Sequence, residues 1–324
     1  MRFSKHEFPE LQFLTKEINN ILGENDSGNG QVIILNREPN SLASTFPSEI
    51  ITCRLSDGSE LQLFCKYSAG FSHNSFGHRG DLSYEIDVYR QVLKNLEIPS
   101  PMFYGAYQDE AAGEAWIFLQ YFEEELHVKA SIYHTSMHAA ARWLGQFHLE
   151  GEAFLRKESI PFLKRHDSNY YCGWADRTSS FANHLHKSYP WLETICKEFR
   201  EVVYNLLEPS CTIVHGEYYP NNVLYYKDQI CPVDWESAAI ATGEIDLASL
   251  TDNWSEKIRL ECISEYQSAR WPEGPPAEFE RTFKTAQLYW HFRWLGDRPE
   301  WTTHENESWR FEEMQQLGEQ LGMI

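Results

Sequence analysis

Basic residues are scarce in this 324-residue chain: 28 Lys and Arg stand against 48 Asp and Glu, for a formal charge of −20. That imbalance repels nucleic-acid phosphates and anionic lipid headgroups, which argues against both as partners, whereas a cationic small molecule would be attracted. No run of about eighteen apolar residues occurs, so no membrane-crossing helix is expected. The opening MRFSKHEFPELQFL also lacks the continuous apolar core of a secretory signal. The seven cysteines, at 53, 65, 172, 196, 211, 231 and 262, are odd in number and scattered, with no C-x-x-C pair of zinc spacing. Reduced thiols fit this usage better than a disulfide framework. A soluble cytoplasmic protein, monomeric or homodimeric, is the expectation. Repeats and low-complexity tracts are missing too, while 42% hydrophobic and 15% aromatic residues suffice for a packed core and exclude a disordered chain.

Residues 6–22 place Phe8, Leu11, Leu14, Ile18 and Leu22 at roughly helical spacing, and the Gly/Asn/Asp/Ser-rich stretch 23–30 breaks the pattern. Three β-like runs follow at 31–36, 48–55 and 60–67, the last two joined by Ser56-Asp57-Gly58-Ser59, a hairpin-type turn. A helix is predicted over 82–96, ending before Pro99 and Pro101, and two more strands at 101–107 and 115–122. From residue 123 the pattern turns helical, with helices predicted at 136–151, 181–186, 190–207, after Asp246, after Glu256 and at 277–295. Short β-like runs at 212–214, 223–225 and 230–233 interrupt them. The expectation is an α+β fold of two lobes: residues 1–122, a five-stranded antiparallel sheet with a helix, and residues 123–324, mainly helical.

Those short runs bracket the chain's most specific motif. His215-Gly216-Glu217-Tyr218-Tyr219-Pro220-Asn221-Asn222 is followed, twelve residues after Asn222, by Asp234-Trp235-Glu236. Moving a phosphoryl group from a nucleotide asks for one carboxylate near the attacking hydroxyl, plus an amide oxygen and a second carboxylate on magnesium. Glu217, Asn222 and Asp234 are of the right kinds.

The motif resembles that of the aminoglycoside phosphotransferase and choline kinase-like family, whose signature reads H-G-D-x-x-x-x-N, a short hairpin, D-[WF]-[ED], then a glycine and D-L-A. Here the last element is Gly243-Glu244-Ile245-Asp246-Leu247-Ala248. The resemblance implies a bilobal protein-kinase-like fold, ATP or GTP with Mg2+ as cofactors, and a small-molecule hydroxyl acceptor. It implies that Glu217 is the catalytic carboxylate, that Asn222 and Asp234 are the metal-binding pair, and that His215 and Asp246 support the loop. In the first lobe it implies that Lys66 holds the nucleotide phosphates, paired with Glu85 on the following helix. The stretch 37–48 should cover the phosphates yet has no glycine, so Ser41, Ser44 and Thr45 with their backbone amides become the candidate phosphate donors. Gln120, Tyr121 and Phe122, between the lobes, would meet the base.

One departure stands out: the usual aspartate of the motif is Glu217 here, one methylene longer, with charge and basicity kept and geometry changed. Two readings follow. One is an O-phosphotransferase acting on an aminoglycoside-like or other amine-bearing metabolite. The other is a catalytically silent kinase-like module that binds a nucleotide or a partner. In the C-terminal third, Trp290 and Trp294 share a helical face and are the better candidates for an acceptor-stacking surface among many aromatics expected in the core.

Overall fold

Strand alternation builds the first part of the chain. In Glu60–Tyr67 the residues Leu63, Cys65 and Tyr67 fall on one face, and all three are buried. The computed structural model describes residues 8–25, 31–40, 46–68, 75–123, 126–128, 135–303 and 305–324. By contact density the chain divides into two units. The first comprises Met1–Asn95, Pro99–Glu125 and Cys231–Glu236; the second comprises Leu96–Ile98, Leu126–Ile230 and Ser237–Ile324.

The first unit opens with α1 (Leu11–Asn25), followed by β1 (Ile33–Pro39), β2 (Ser48–Arg54), β3 (Glu60–Tyr67), α2 (Leu82–Asp87), β4 (Phe103–Asp109) and β5 (Glu114–Gln120). The strands form one antiparallel sheet in the order β1-β2-β3-β5-β4. The β2–β3 turn is fixed by Asp57, whose Oδ1 accepts from the Ser59 amide at 2.9 Å and the Ser59 hydroxyl at 2.6 Å. This is the Asx chemistry expected of that sequence. Helix α1 packs Leu14 and Ile18 into the core made with Val32, Ile51, Cys53, Trp116 and Phe118. It runs three residues past the break expected at 23. Within it, Asn19 accepts from the Val32 amide at 2.7 Å and donates to the Val32 carbonyl at 3.3 Å, so a tertiary contact holds its last turns.

Helix α2 is capped by Asp81, which accepts from the Tyr84 amide. It widens into a π-turn over Val88–Val92 and ends in a 3-10 turn at Leu93–Asn95, ahead of Pro99. One charged group, Glu85, lies fully buried on its inner face.

The second unit holds β6 (Leu126–His127), α3 (Thr135–Leu155), β7 (Lys164–Arg165), α4 (Ser168–Phe181), α5 (Leu192–Val202), β8 (Thr212–Val214) and β9 (Val223–Tyr226). The next strand, β10 (Gln229–Pro232), returns the chain to the first unit, and β11 (Ala239–Ala241), α6 (Glu244–Thr251), α7 (Glu256–Arg270), α8 (Phe279–Leu295) and α9 (Ser308–Gln320) complete the second. Strand β11 pairs with β8 and β7, and β9 with β6. Helix α6 is buried along its whole length and α8 along most of its own.

One helical prediction needs correction, and two helices, α4 and α9, escaped prediction. A helix over 181–186 is absent: α4 ends at Phe181, and only a 3-10 turn at Asn183–Leu185 follows. The run Ser168–Phe181 is rich in Ser, Asn, Tyr and Gly, which are weak helix formers. Packing of Tyr171, Trp174, Ala175 and Thr178 and the Asp167 cap on the Tyr170 amide override propensity. Helix α9 is tied down by Arg310, which donates to Asp252 at 2.8 and 3.1 Å and lies 4.6 Å from the Trp294 ring.

Candidate functional site

In the first unit, β3 delivers Lys66 with its side chain 5% exposed. Its Nζ donates to Glu85 Oε2 at 2.8 Å and to Asp234 Oδ1 at 2.6 Å. Glu85 Oε1 in turn accepts from the Trp235 amide at 3.3 Å. The strand, α2 and the segment 231–236 are thereby joined around one ammonium. Burial pulls the Lys66 pKa down, but Asp234, Glu85 and Glu236 together outweigh it and hold the amine well above its ordinary value. Asp234 sits at φ +72, a left-handed conformation that a non-glycine residue adopts only where its surroundings impose it.

Glu236 is buried, with Oε1 3.2 Å from Arg79 Nε and its carbonyl accepting from the Gly80 amide at 2.6 Å. Burial, then the charge of Asp234, push its carboxyl up to about 9, so it holds a proton at neutral pH. Burial raises Glu85 as well, against the pull of Lys66. Three carboxyl groups thus share one ammonium and one guanidinium, and the proton on Glu236 balances the cluster. Its donors are all oxygens, which is the set a hard divalent cation such as Mg2+ takes.

Of the other nucleotide candidates, Ser41, Ser44 and Thr45 lie outside the described residues. Gln120 has its backbone N–H on the Met102 carbonyl at 2.9 Å and its side-chain oxygen on the Met102 amide at 3.3 Å. Tyr121 is half-buried and Phe122 buried.

In the second unit, Asp246 anchors the loop that follows β8. Its carboxylate accepts from the backbone amides of His215 at 2.6 Å and Gly216 at 2.9 Å, and from His148 Nε2 at 3.2 Å. Burial raises the Asp246 carboxyl to about 6, while those amides oppose the rise. His148 completes the contact by accepting from the Tyr266 hydroxyl at 3.0 Å through Nδ1, and burial followed by the Arg270 charge keeps it neutral, well below its ordinary pKa. It is a hydrogen-bonded core histidine. Gly216 turns the chain at φ +84, where a Cβ would come within 2.3 Å of the Ser237 carbonyl oxygen. Gly243, before α6, is packed as tightly: a Cβ would fall 2.4 Å from His148 Nδ1.

Past the turn, the Glu217 amide donates to His215 Nδ1 at 3.3 Å. Asn222 Nδ2 donates to the Glu217 carbonyl at 3.2 Å, and the Asn222 amide to the Tyr219 carbonyl at 2.8 Å. With its Nδ2 used inside the loop, Asn222 would offer a metal its Oδ1. Tyr218 stacks on Trp143 with ring planes 8° apart and donates to the Ala140 carbonyl at 3.0 Å. The loop backbone is therefore held at both ends and in the middle.

Sequence reasoning missed the partner of Glu217. Its Oε1 accepts from Arg293 Nη2 of α8, and both side chains are almost wholly buried. Arginine amid Tyr289, Trp290, Phe292 and Trp294 is itself the signal, because a charge on a buried helix requires an opposite charge nearby. Trp290 is buried with its ring 6.4 Å from that of Tyr219, two residues past Glu217. Trp294 is half-buried and lies 4.3 Å from the Trp301 ring.

The fold is shared with solved kinases. A choline kinase, LicA from Streptococcus pneumoniae, superposes with a TM-score of 0.58 at 14% identity, covering 97% of this chain and 99% of its own. The GDP complex of a point mutant of an aminoglycoside 2'-phosphotransferase-IIIa gives 0.63 at 12% identity, with coverage of 94% and 96%. Amicoumacin kinase hAmiN, in complex with AMP-PNP, Ca2+ and Ami, gives 0.58 at 12% identity, with coverage of 98% and 95%. No protein of curated function matches the sequence. A sequence model of the phosphotransferase enzyme family matches residues 71–308, well over half of the chain. With the kinase-like fold and the two charged clusters described, the chain belongs to that phosphotransferase family.

Proposed function

We propose that this phosphotransferase moves the γ-phosphoryl group of ATP, with GTP as the alternative, to a hydroxyl of a small molecule. Residues 1–122 would serve the nucleotide and residues 123–324 the acceptor. The observation that carries the reading is Lys66, bonded at once to Glu85 and Asp234. A buried ammonium steadied by one carboxylate and poised beside another is what holding nucleotide phosphates requires.

Lys66 would bind the phosphates, steadied by Glu85, and Asp234 and Asn222 would ligate Mg2+ through oxygen. The metal, when bound, supplies neutralisation of charge on the phosphates. Glu217 would orient the acceptor hydroxyl and take its proton, and the loop's anchoring through Asp246 and His215 keeps that carboxylate from drifting. An amine elsewhere on the acceptor, as in an aminosugar, is supported by the net charge of −20. The seven free cysteines, six of them buried, support a reducing compartment and hence the cytoplasm.

The test is phosphorylation of a panel of aminoglycosides, aminosugars, amino alcohols, sugars and macrolides, read as the mass gain of one phosphoryl group. The product should require Mg2+ and vanish in Asp234→Ala. One observation favours the silent-module reading: Arg293 already occupies the Glu217 carboxylate. That reading expects thermal stabilisation by nucleotide with no turnover, even in Glu217→Asp.

A further inference from the structure

Arg293 brings more hydrogen-bonding capacity to its place in the second unit than the chain uses. Only 2% of it is exposed, and Nη2 donates to Glu217. Its Nε has no hydrogen-bond partner among the described residues, and neither do the indole Nε1 atoms of Trp290 and Trp294. Positions 290, 293 and 294 share one face of α8. Folded proteins seldom leave three buried N–H donors side by side without acceptors. Trp290 reaches Tyr219 of the loop that carries Glu217, and the other end of this face, at Trp294 and Asp297, is only half-buried.

The carboxylates in contact with Arg293 are already matched. Asp297 lies 3.9 Å from Arg293 Nη1 and 3.7 Å from Arg298 Nε, so Glu217 and Asp297 face two guanidinium groups. Neither of these two carboxylates is left over for an ammonium ion.

We infer that Arg293, with the indole N–H groups of Trp290 and Trp294, selects an acceptor that presents oxygen lone pairs beside its reacting hydroxyl. A polyol, a sugar ring or a carboxylate qualifies, and an ammonium group at that position does not. Calling the ligand an acceptor rests on the phosphotransferase reading above; the preference for oxygen does not. Hydroxyl and carboxylate oxygens accept from all three donors, most strongly from the guanidinium. An ammonium at that position meets N–H donors and has no lone pair to offer them, so it binds more weakly. An amine on a remote part of the same molecule is unaffected.

Binding tests this directly, by ligand-observed NMR of the full chain with neutral hexoses and hexuronates against choline, ethanolamine and a linear polyamine. The hexoses or hexuronates should bind, and the amines should bind at least tenfold more weakly. Trp290→Phe and Trp294→Phe keep the rings and remove only the donors. Each should weaken the oxygen-rich ligand about fivefold, the loss of one hydrogen bond, with binding of AMP-PNP unchanged. Arg293→Lys, which keeps a charge on Glu217, should reduce the preference for hexuronate over hexose. Tighter binding of the amines, no binding of any hexose or hexuronate, or indifference to both Trp changes would each overturn the inference. Oxygen-selective binding with no phosphoryl product under Mg-ATP would instead sink the phosphotransferase reading and leave this one standing.

Discussion

The two charged clusters of the candidate site are balanced in different ways. In the first, Glu85, Asp234 and Glu236 crowd around Lys66 and Arg79, so carboxyl groups outnumber cations and Glu236 is pushed to about 9. In the second, each carboxylate has its own answer: Glu217 has Arg293, and Asp246 has two backbone amides and His148. The first cluster is balanced only with the help of a bound proton, whose place a cation could take, whereas the second is balanced by groups of the chain itself. The difference teaches that one cluster keeps a place for an added cation and the other is closed by its own partners; under the proposed function the first would serve the charge and the second the geometry of phosphoryl transfer.

The hardest blow to that comparison falls on Asp234. Under the proposed function Asp234→Ala should lower turnover about a thousandfold or more, by removing a carboxylate that would ligate the metal, with the melting temperature little changed. Steady-state assay and thermal denaturation together check this. Survival of activity would show that the first cluster is a mere structural ion pair.

Lys66→Met probes the same cluster from the cation side. Glu85 would then be buried with no opposite charge, a loss of about 3–5 kcal/mol, measured by urea denaturation. Because the orphaned carboxyl groups can escape by taking up protons, the deficit should shrink as pH is lowered towards 5. A deficit independent of pH would mean that the carboxylates had found other partners.

Glu217→Asp sharpens the contrast in the second unit. The loop backbone is pinned, so the shorter side chain loses Arg293 and recedes by about 1 Å, at a cost of around a hundredfold in kcat. Single-turnover kinetics would decide. A rise in activity would instead mark the Glu217–Arg293 pair as a restraint on catalysis.

The smallest effect concerns Asp246, whose native carboxyl titrates near 6 against an unfolded value near 4. Between those values the native state keeps a proton that the unfolded state has released. The group's contribution to stability is therefore complete below pH 4 and falls as pH rises through 6, by about 2–3 kcal/mol. Asp246→Asn lacks this titration, so its deficit relative to the wild type should be largest near pH 4 and diminish above pH 6, read from denaturation curves across that range.

The first-unit sheet was legible because its strands alternate and its turn carries Asp57 and Gly58, both local signals. The loop at 215–222 was legible for another reason: residue types at fixed spacing. Helix α4 was not legible, since tertiary packing of Tyr171 and Trp174 overrides the weak propensity of its sequence. Arg293 stands 76 residues from Glu217, and nothing local in either segment announces the pair. The crowding of carboxyl groups around Lys66 was half legible: the sequence paired Glu85 with the lysine, but the place of Glu236 beside them depends on how residues 231–236 return to the first unit.

By itself, then, the sequence determined the strands and turn of the first-unit sheet, the family, and the residue types of the candidate site, because periodicity, turn residues and motif spacing are local properties. Tertiary structure alone decided which carboxyl groups are answered by a cation or an amide and which by a proton. That choice depends on burial and on partners distant in sequence, and a charge in a low-dielectric interior is governed by its nearest neighbours in space.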